Sequence, residues 1–444
     1  MEHSGPSDFE RKYDILDVAT PRHTILSGRY KRSFAYYTLR ERLPVILTNI
    51  IDSLTKEKDE IAEKYEGEKT REEIKTVVGH ISKLKYQLQT DKPFEKFLGI
   101  EQDKEMWNIF LEALPAKCAS FFQSAWLYSE CYMYRRVFSF FENTETLRHH
   151  DYFFKQKCKA LEINAVLNLG KSLRSTERDS KTFSSLLKVN LWGNKCDLSI
   201  IIPTICDPND NVFEHCSTLD DHVLVDDSSR IWKCLDSADQ SKCITVDFVL
   251  DNAGFEFYTD LILADYLLSK KLAHKIRFHT KPMPWFVSDV TPVDFHHTFE
   301  YLEKHSSSHL SVQGRKWKQY LADGFFEMAA VNYFWSSPYE YYKMREVDMD
   351  LYNYLAQAQL VIFKGDLNYR KLLGDKNWDP TEDFLICLRG FQPTNICTLR
   401  TVKADLICGL EHGKAEDLFR QNPKWMETGE YGVIQFMEGS KWRF

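Results

Sequence analysis

Residues 245–268 read TVDFVLDNAGFEFYTDLILADYLL, and the fold turns on how that stretch is divided. Thr245 to Leu250 mix β-branched, aromatic and aliphatic side chains over the length of one strand. From Gly254 the apolar residues run on too long for a strand, which predicts a buried helix over Gly254–Lys270. A buried strand passing straight into a buried helix belongs to a parallel sheet with helices on its faces. At the joint stand an ionisable acid, Asp251, and an amide, Asn252.

The same grammar recurs downstream. PWFVSD reads as a second strand ending at Asp289, with a helix expected over Pro292–Lys304. QLVIFKGDLN reads as a third, ending at Asp366 and Asn368, with a helix expected over Tyr369–Leu373. Upstream, Ser33 to about Lys188 carries helical signals, with a break or kink at Pro44 and a densely charged solvated face around residues 56–88. The expected organisation is a loosely held extension at 1–30, a helical domain at 31–190 and an α/β domain at 191–444. The acidic, turn-rich 204–230 is expected as an exposed loop, and HSSSH (305–309) as another.

Composition narrows the class. A chain of 444 residues, 43% hydrophobic and 14% aromatic, is long for one core and well supplied for a packed interior. Its net charge of −7 disfavours a chain-wide nucleic-acid footprint, which needs concentrated positive charge. The polar start MEHSGPSDFERKYD has no apolar h-region, so no secretory signal is expected, and no run has the ~18 apolar residues of a membrane span. The 11 cysteines form no CxxC pair and read as reduced thiols, which places the chain in the cytoplasm or nucleus.

In an open parallel sheet ligands bind beyond the carboxyl ends of the strands, so three acids delivered there can converge. Each has a bland alternative. Asp and Asn are ordinary N-caps, and Asn252 and Asn368 fit that role. Thr291 and Pro292 already cap the helix after Asp289, which leaves Asp289 without that task, and Asp251 is surplus where Asn252 caps. Singly the acids read as structural; as a trio with Asn252 they read as a site. Two carboxylates and an amide oxygen are hard donors suited to Mg²⁺ or Mn²⁺ with water left in place. Arg370 and Lys371, expected in the first turn of their helix, and Arg400, Thr401 and Lys403 from ICTLRTVKAD suggest a phosphate cradle.

Several long stretches then carry a resemblance. LWGNKCDLS (191–199), LDNAGFEFYTDLILADYLL (250–268), WFVSD (285–289), FKGDLNYRKLLGD (363–375) and LRTVKAD (399–405) resemble the metal-dependent damage-control phosphatases. They match the subgroup with an Arg-Thr-x-Lys motif, the acidic residue methyltransferase and sugar phosphate phosphatase group. The likeness extends from SFAYYTLRERLP (33–44) through LQTDKPF (88–94) and ECYMYRR (130–136) to the C-terminus. It implies a three-layer α/β/α sandwich with a mostly parallel sheet behind an all-helical N-terminal domain. It further implies Asp251, Asn252 and Asp289 as catalytic metal ligands for Mn²⁺, Co²⁺, Ni²⁺ or Mg²⁺. Asp251, Asn252, Asp366, Leu367, Asn368, Tyr369, Arg370 and Lys403 would hold the substrate, a small sugar phosphate such as fructose 1-phosphate or fructose 6-phosphate. Asn194, Asp197, Arg400 and Thr401 are supporting candidates.

Three functions are weighed on these grounds. The first is metal-dependent phosphomonoester hydrolysis in metabolite damage control, with water or Asp251 as nucleophile. The second is S-adenosylmethionine-dependent methylation of protein glutamates, with Glu256 and Asp289 on the cofactor. It would need a protein substrate, and Gly254 alone is a poor match to the glycine-rich turns of methyltransferases. The third, a non-catalytic interaction module, leaves the motifs without purpose. Neither nucleic acid nor membrane is an expected partner.

Overall fold

The computed structural model describes residues 7–162, 164–172, 177–193 and 218–439. Its sheet has seven strands: β1 (Val223–Asp226), β2 (Thr245–Val249), β3 (Lys275–His279), β4 (Phe326–Met328), β5 (Leu360–Lys364), β6 (Ile396–Thr401) and β7 (Gly432–Met437). They lie in the order β1-β7-β6-β5-β2-β3-β4. The pairings from β6 to β4 are parallel, and β7 runs antiparallel to β6 with β1 parallel to it at the edge. The chain leaves β2 toward β3 on one side and later lays β5 on the other. The carboxyl ends of β2 and β5 therefore flank the topological switch point, where open α/β sheets bind ligands.

Both faces of the sheet are covered. Along β5, Leu360 and Ile362 join one apolar cluster while Val361 and Phe363 join the other. That alternation is the strand period of two read out in packing. The first cluster, with Val361, extends through Trp126, Leu127 and Phe141 into the N-terminal helices. The second, with Ile362, gathers Leu186 and Leu187 of helix Ser180–Trp192 and Leu261 and Leu263 of helix Phe255–Ser269. The result is the α/β/α sandwich with a mostly parallel sheet. Among the described residues no helix is long and apolar enough to cross a membrane.

Several local expectations are corrected. Residues 285–289 are not a strand. Pro282 and Pro284 remove backbone donors just before them, and Phe286 and Val287 take positive φ values of 42° and 72°. The strand on that side is β3, whose KIRFH alternates charge with apolar residues because Arg277 is held by Asp247 at 2.6 Å inside the sheet. The helix after β5 begins at Gly365, not Tyr369, which puts Asp366 in its first turn and Arg370 and Lys371 in its last. Within the stretch expected as an acidic loop, 223–226 form β1 and helix Ser228–Asp236 follows; 194–217 lie outside the described residues. Helix Ser308–Ala322 starts inside HSSSH. Within the N-terminal stretch the described residues are tied down: Leu26 is fully buried, its amide donating to the Asp375 carbonyl at 2.9 Å, and Ser27 pairs with Ala125. Pro44 does open a helix, Leu43–Lys56, directly after a π-helical turn at Thr38–Arg42.

Candidate functional site

The joint between β2 and helix Phe255–Ser269 is tight. Gly254 stands at φ 76°, and a Cβ there would lie 2.6 Å from that of Ala160. Asn252 caps nothing, since Gly254 holds the cap position. Its amide donates instead to Asp251 Oδ2 at 2.9 Å and to Glu256 Oε2 at 2.7 Å, while its oxygen accepts from the Ser288 hydroxyl. The loop carrying Asp289 is zipped onto this joint. Asn252 bridges Asp289 across an antiparallel pair, the Val290 amide donates to the Asp251 carbonyl at 2.8 Å, and the Ala253 amide donates to the Ser288 carbonyl at 2.7 Å. Asp289 thus reaches Asp251 from a loop rather than a strand end. Thr291 caps the next helix in a capping box with Asp294, which frees Asp289 from that duty.

β5 delivers the third piece. Gly365 has φ 79°, and a Cβ there would fall 1.9 Å from Asp251 Oδ2. Only glycine lets β5 turn into its helix while the Asp251 carboxylate occupies that space. Asp366, in the first helical turn, accepts from Arg400 Nε at 2.7 Å and from the Lys403 amide at 3.2 Å. Asn368 is buried, donating to the carbonyls of Val249, Leu250 and Lys364 at 3.2, 3.4 and 2.7 Å and thereby tying the helix to the ends of both strands.

The electrostatics are dominated by crowded acids. Burial raises Asp251 well above the ordinary carboxylate range, and Glu256 and Asp289 push it further, against the pull of Lys281 and Lys403. Asp289 is pushed up to about 6 by burial, with Lys281 opposing from 3.2 Å. Behind them Lys364, fully buried at the end of β5, bridges Glu256 and Asp260 at 2.9 Å each. Among the described residues no group of three His, Cys, Asp or Glu side chains forms a ready cage for an ion. The converging donors are instead two carboxylates and an amide.

A cavity of about 980 Å³ opens between this edge and the N-terminal helices. Asp251, Asn252, Asp289, Asp366, Leu367, Arg370 and Lys403 all line it. Arg370 is pinned by Glu130 and by Asp375 at 2.7 Å, with its guanidinium 3.5 Å above the Trp126 ring. The stem of Lys403 runs over Gly429, where a Cβ would approach to 3.1 Å. Lys371 is corrected out of the cradle: it donates to the carbonyls of Phe334, Trp335 and Ser337 in the interior, where burial lowers it to about 8. Asn368, Tyr369, Arg400, Thr401 and Glu256 stand behind the wall rather than in it; Tyr369 bonds Gln435 at 2.9 Å. Asn194 and Asp197 lie outside the described residues.

Sequence reasoning passed over Lys281, Lys364, Ser288 and Gly365. A glycine between a strand and an acid-bearing helix was the available signal for a close backbone approach. The two lysines gave none, because a buried counter-ion and a surface lysine are written identically.

Comparison with known proteins places these elements. Residues 38–418 match the family model described as "Damage-control phosphatase ARMT1-like domain". Curated proteins called "Damage-control phosphatase ARMT1" are 40% identical in Danio rerio, over 93% of this chain and 96% of that one, and 38% identical in Homo sapiens, over 93% and 98%. A DUF89 family crystal structure from Pyrococcus horikoshii aligns at 16% identity with a TM-score of 0.44, covering 84% of this chain and 96% of that one.

Proposed function

The chain belongs to the damage-control phosphatase ARMT1-like family and is thereby a phosphoric monoester hydrolase, and from that premise we propose that it is a metal-dependent phosphatase of small sugar phosphates, of the fructose 1-phosphate and fructose 6-phosphate type. The observation that carries this reading is the meeting of Asp251, Asn252 and Asp289 with Arg370 and Lys403 in one cavity at the switch point of the sheet.

The donor set fits a hard divalent ion. Carboxylates raised by burial and by a neighbouring acid are stabilised by a cation among them, and oxygen donors select Mn²⁺, Co²⁺, Ni²⁺ or Mg²⁺ over softer ions. A divalent ion, if bound there, would neutralise phosphoryl charge and lower the pKa of a bound water. Asp251, Asn252 and Asp289 would hold it, with Ser288 and Lys281 orienting two of them. Lys403 and Arg370 would take the phosphoryl oxygens, Asp366 fixing the backbone of Lys403 and Glu130 and Asp375 fixing Arg370. Phosphoryl transfer is mainly positioning and charge stabilisation, which these groups supply. Attack by water and attack by the Asp251 carboxylate both fit the arrangement.

The methyltransferase reading receives less support. Glu256, its cofactor contact, is fully buried and engaged by Lys364 and Asn252, and the Gly254 turn is closed by Ala160. Family membership sets aside the non-catalytic module. We place the enzyme in the cytoplasm or nucleus, acting on a free small metabolite. Phosphate release from a panel of sugar phosphates, with S-adenosylmethionine turnover measured on the same preparation, tests the assignment. The phosphatase reading expects release only, and methyl transfer to protein carboxylates without phosphate release would overturn it.

A further inference from the structure

One group in the cavity has no task in the reaction so far. Tyr134, on helix Trp126–Glu142, lines the cavity and is 3% exposed. Its ring stacks on Phe286 at 4.6 Å and lies 6.0 Å from Trp285, both in the loop that delivers Asp289. Those contacts fix the ring, yet its hydroxyl makes no hydrogen bond among the described residues. The hydroxyl is not among the side-chain atoms sealed off without a partner, so a molecule in the cavity can reach it. Two charged groups of the helical wall are already committed. Glu130 holds Arg370, and Lys157 holds Asp151 and Asp294 at 2.6 and 2.5 Å.

In an in-line displacement the entering and departing oxygens stand on opposite sides of phosphorus. An ester bound with its phosphoryl group at the acids of the sheet edge and its sugar toward the helical wall would present the departing oxygen to Tyr134. We propose that the Tyr134 hydroxyl is the catalytic donor to the ester oxygen that leaves phosphorus, an inference that rests on the phosphatase reading above. As the P–O bond breaks, its electron pair goes to the sugar oxygen, which takes the Tyr134 proton and departs as the alcohol. The entering water oxygen forms the new P–O bond and gives up a proton to solvent, and the tyrosinate regains one from water. Burial, reinforced by Glu130, holds the phenol well above its ordinary value, so it carries its proton before the ester breaks.

The test is Tyr134→Phe in the full-length, Mn²⁺-replete protein, assayed on fructose 1-phosphate and on p-nitrophenyl phosphate, whose phenolate leaves without a proton. The ring contacts survive the change, and a thermal melt checks that the fold does. Expected is a loss of about 10²-fold or more in kcat for the sugar ester, the usual scale of general acid catalysis, with the nitrophenyl ester little changed. An equal loss on both esters, or no loss on either, overturns the assignment. A wild-type protein inert toward both esters would remove the phosphatase reading itself, and this inference with it.

Discussion

Lys403 brings a cation to the cavity wall from the loop that follows β6. Arg370 has its charge met by Glu130 and Asp375, and Lys371 is buried against carbonyls. Lys403 lines the cavity beside Asp366, which accepts its backbone amide, and its charge pulls on Asp251. Lys403→Met keeps the aliphatic stem over Gly429 and deletes the charge. Losing a charge-assisted contact in a closed site costs about 2–4 kcal/mol, so kcat/KM for fructose 1-phosphate should fall on the order of 10²-fold or more. Mn²⁺ binding, followed by calorimetry on the same preparation, should barely move. An unchanged kcat/KM in a folded, metal-replete variant would take Lys403 out of the phosphoryl contacts.

At the scale of elements, a half-buried carboxylate is one of the ties between the helical wall and the sheet. Asp405, just past β6, accepts the Phe34 amide at 2.7 Å, and Phe34 begins the helical run whose Tyr37, Thr38 and Arg42 line the cavity. Burial pushes Asp405 up to about 7. Its folded pKa lies above the unfolded value, so the native state holds that proton more tightly. The stability this gives is lost as pH rises from about 4 through about 7. Asp405→Asn retains an acceptor oxygen and cannot ionise. Its Tm advantage over wild type should therefore be small at about pH 5 and larger at about pH 8. A difference that stays constant across that range would contradict the assignment.

Elements also show what a linear reading could reach. The β2 unit was legible because Thr245–Leu250 and the helix behind it are buried on every side, so composition alone separates them. Helix Pro292–Lys304 was legible to the residue, from Thr291 and Pro292 at its start. β3 was not, because Arg277 and His279 look like surface residues until Asp247 is placed beside them. The helix after β5 was started too late because Gly365 reads as a breaker, whereas its positive φ makes the turn that begins the helix. Of the site, Asp251 and Asp366 were legible from the ends of β2 and β5, whereas Asp289 was reached through an expected strand that is a loop in the structure. The division of the cations into cavity-lining and interior was not, since it depends on which face of a short helix meets Phe334 and Ser337.

For the whole molecule, the cavity exists because the two halves share one interior. The apolar cluster that holds Leu47, Val77 and Trp126 of the N-terminal helices also holds Val249, Trp285 and Phe363 of the α/β half. The acids come from one side of that join, and Glu130, Trp126 and Tyr134 come from the other. Under the proposed function this composite site works through an ion held by Asp251, Asn252 and Asp289. The most direct test is phosphate release from fructose 1-phosphate by chelator-stripped protein, followed as Mn²⁺ is added back, for wild type and Asp289→Asn side by side. Expected are no turnover in the stripped wild type, saturable recovery with Mn²⁺, and no recovery in the folded variant; full turnover by the stripped wild type would contradict a metal-dependent site.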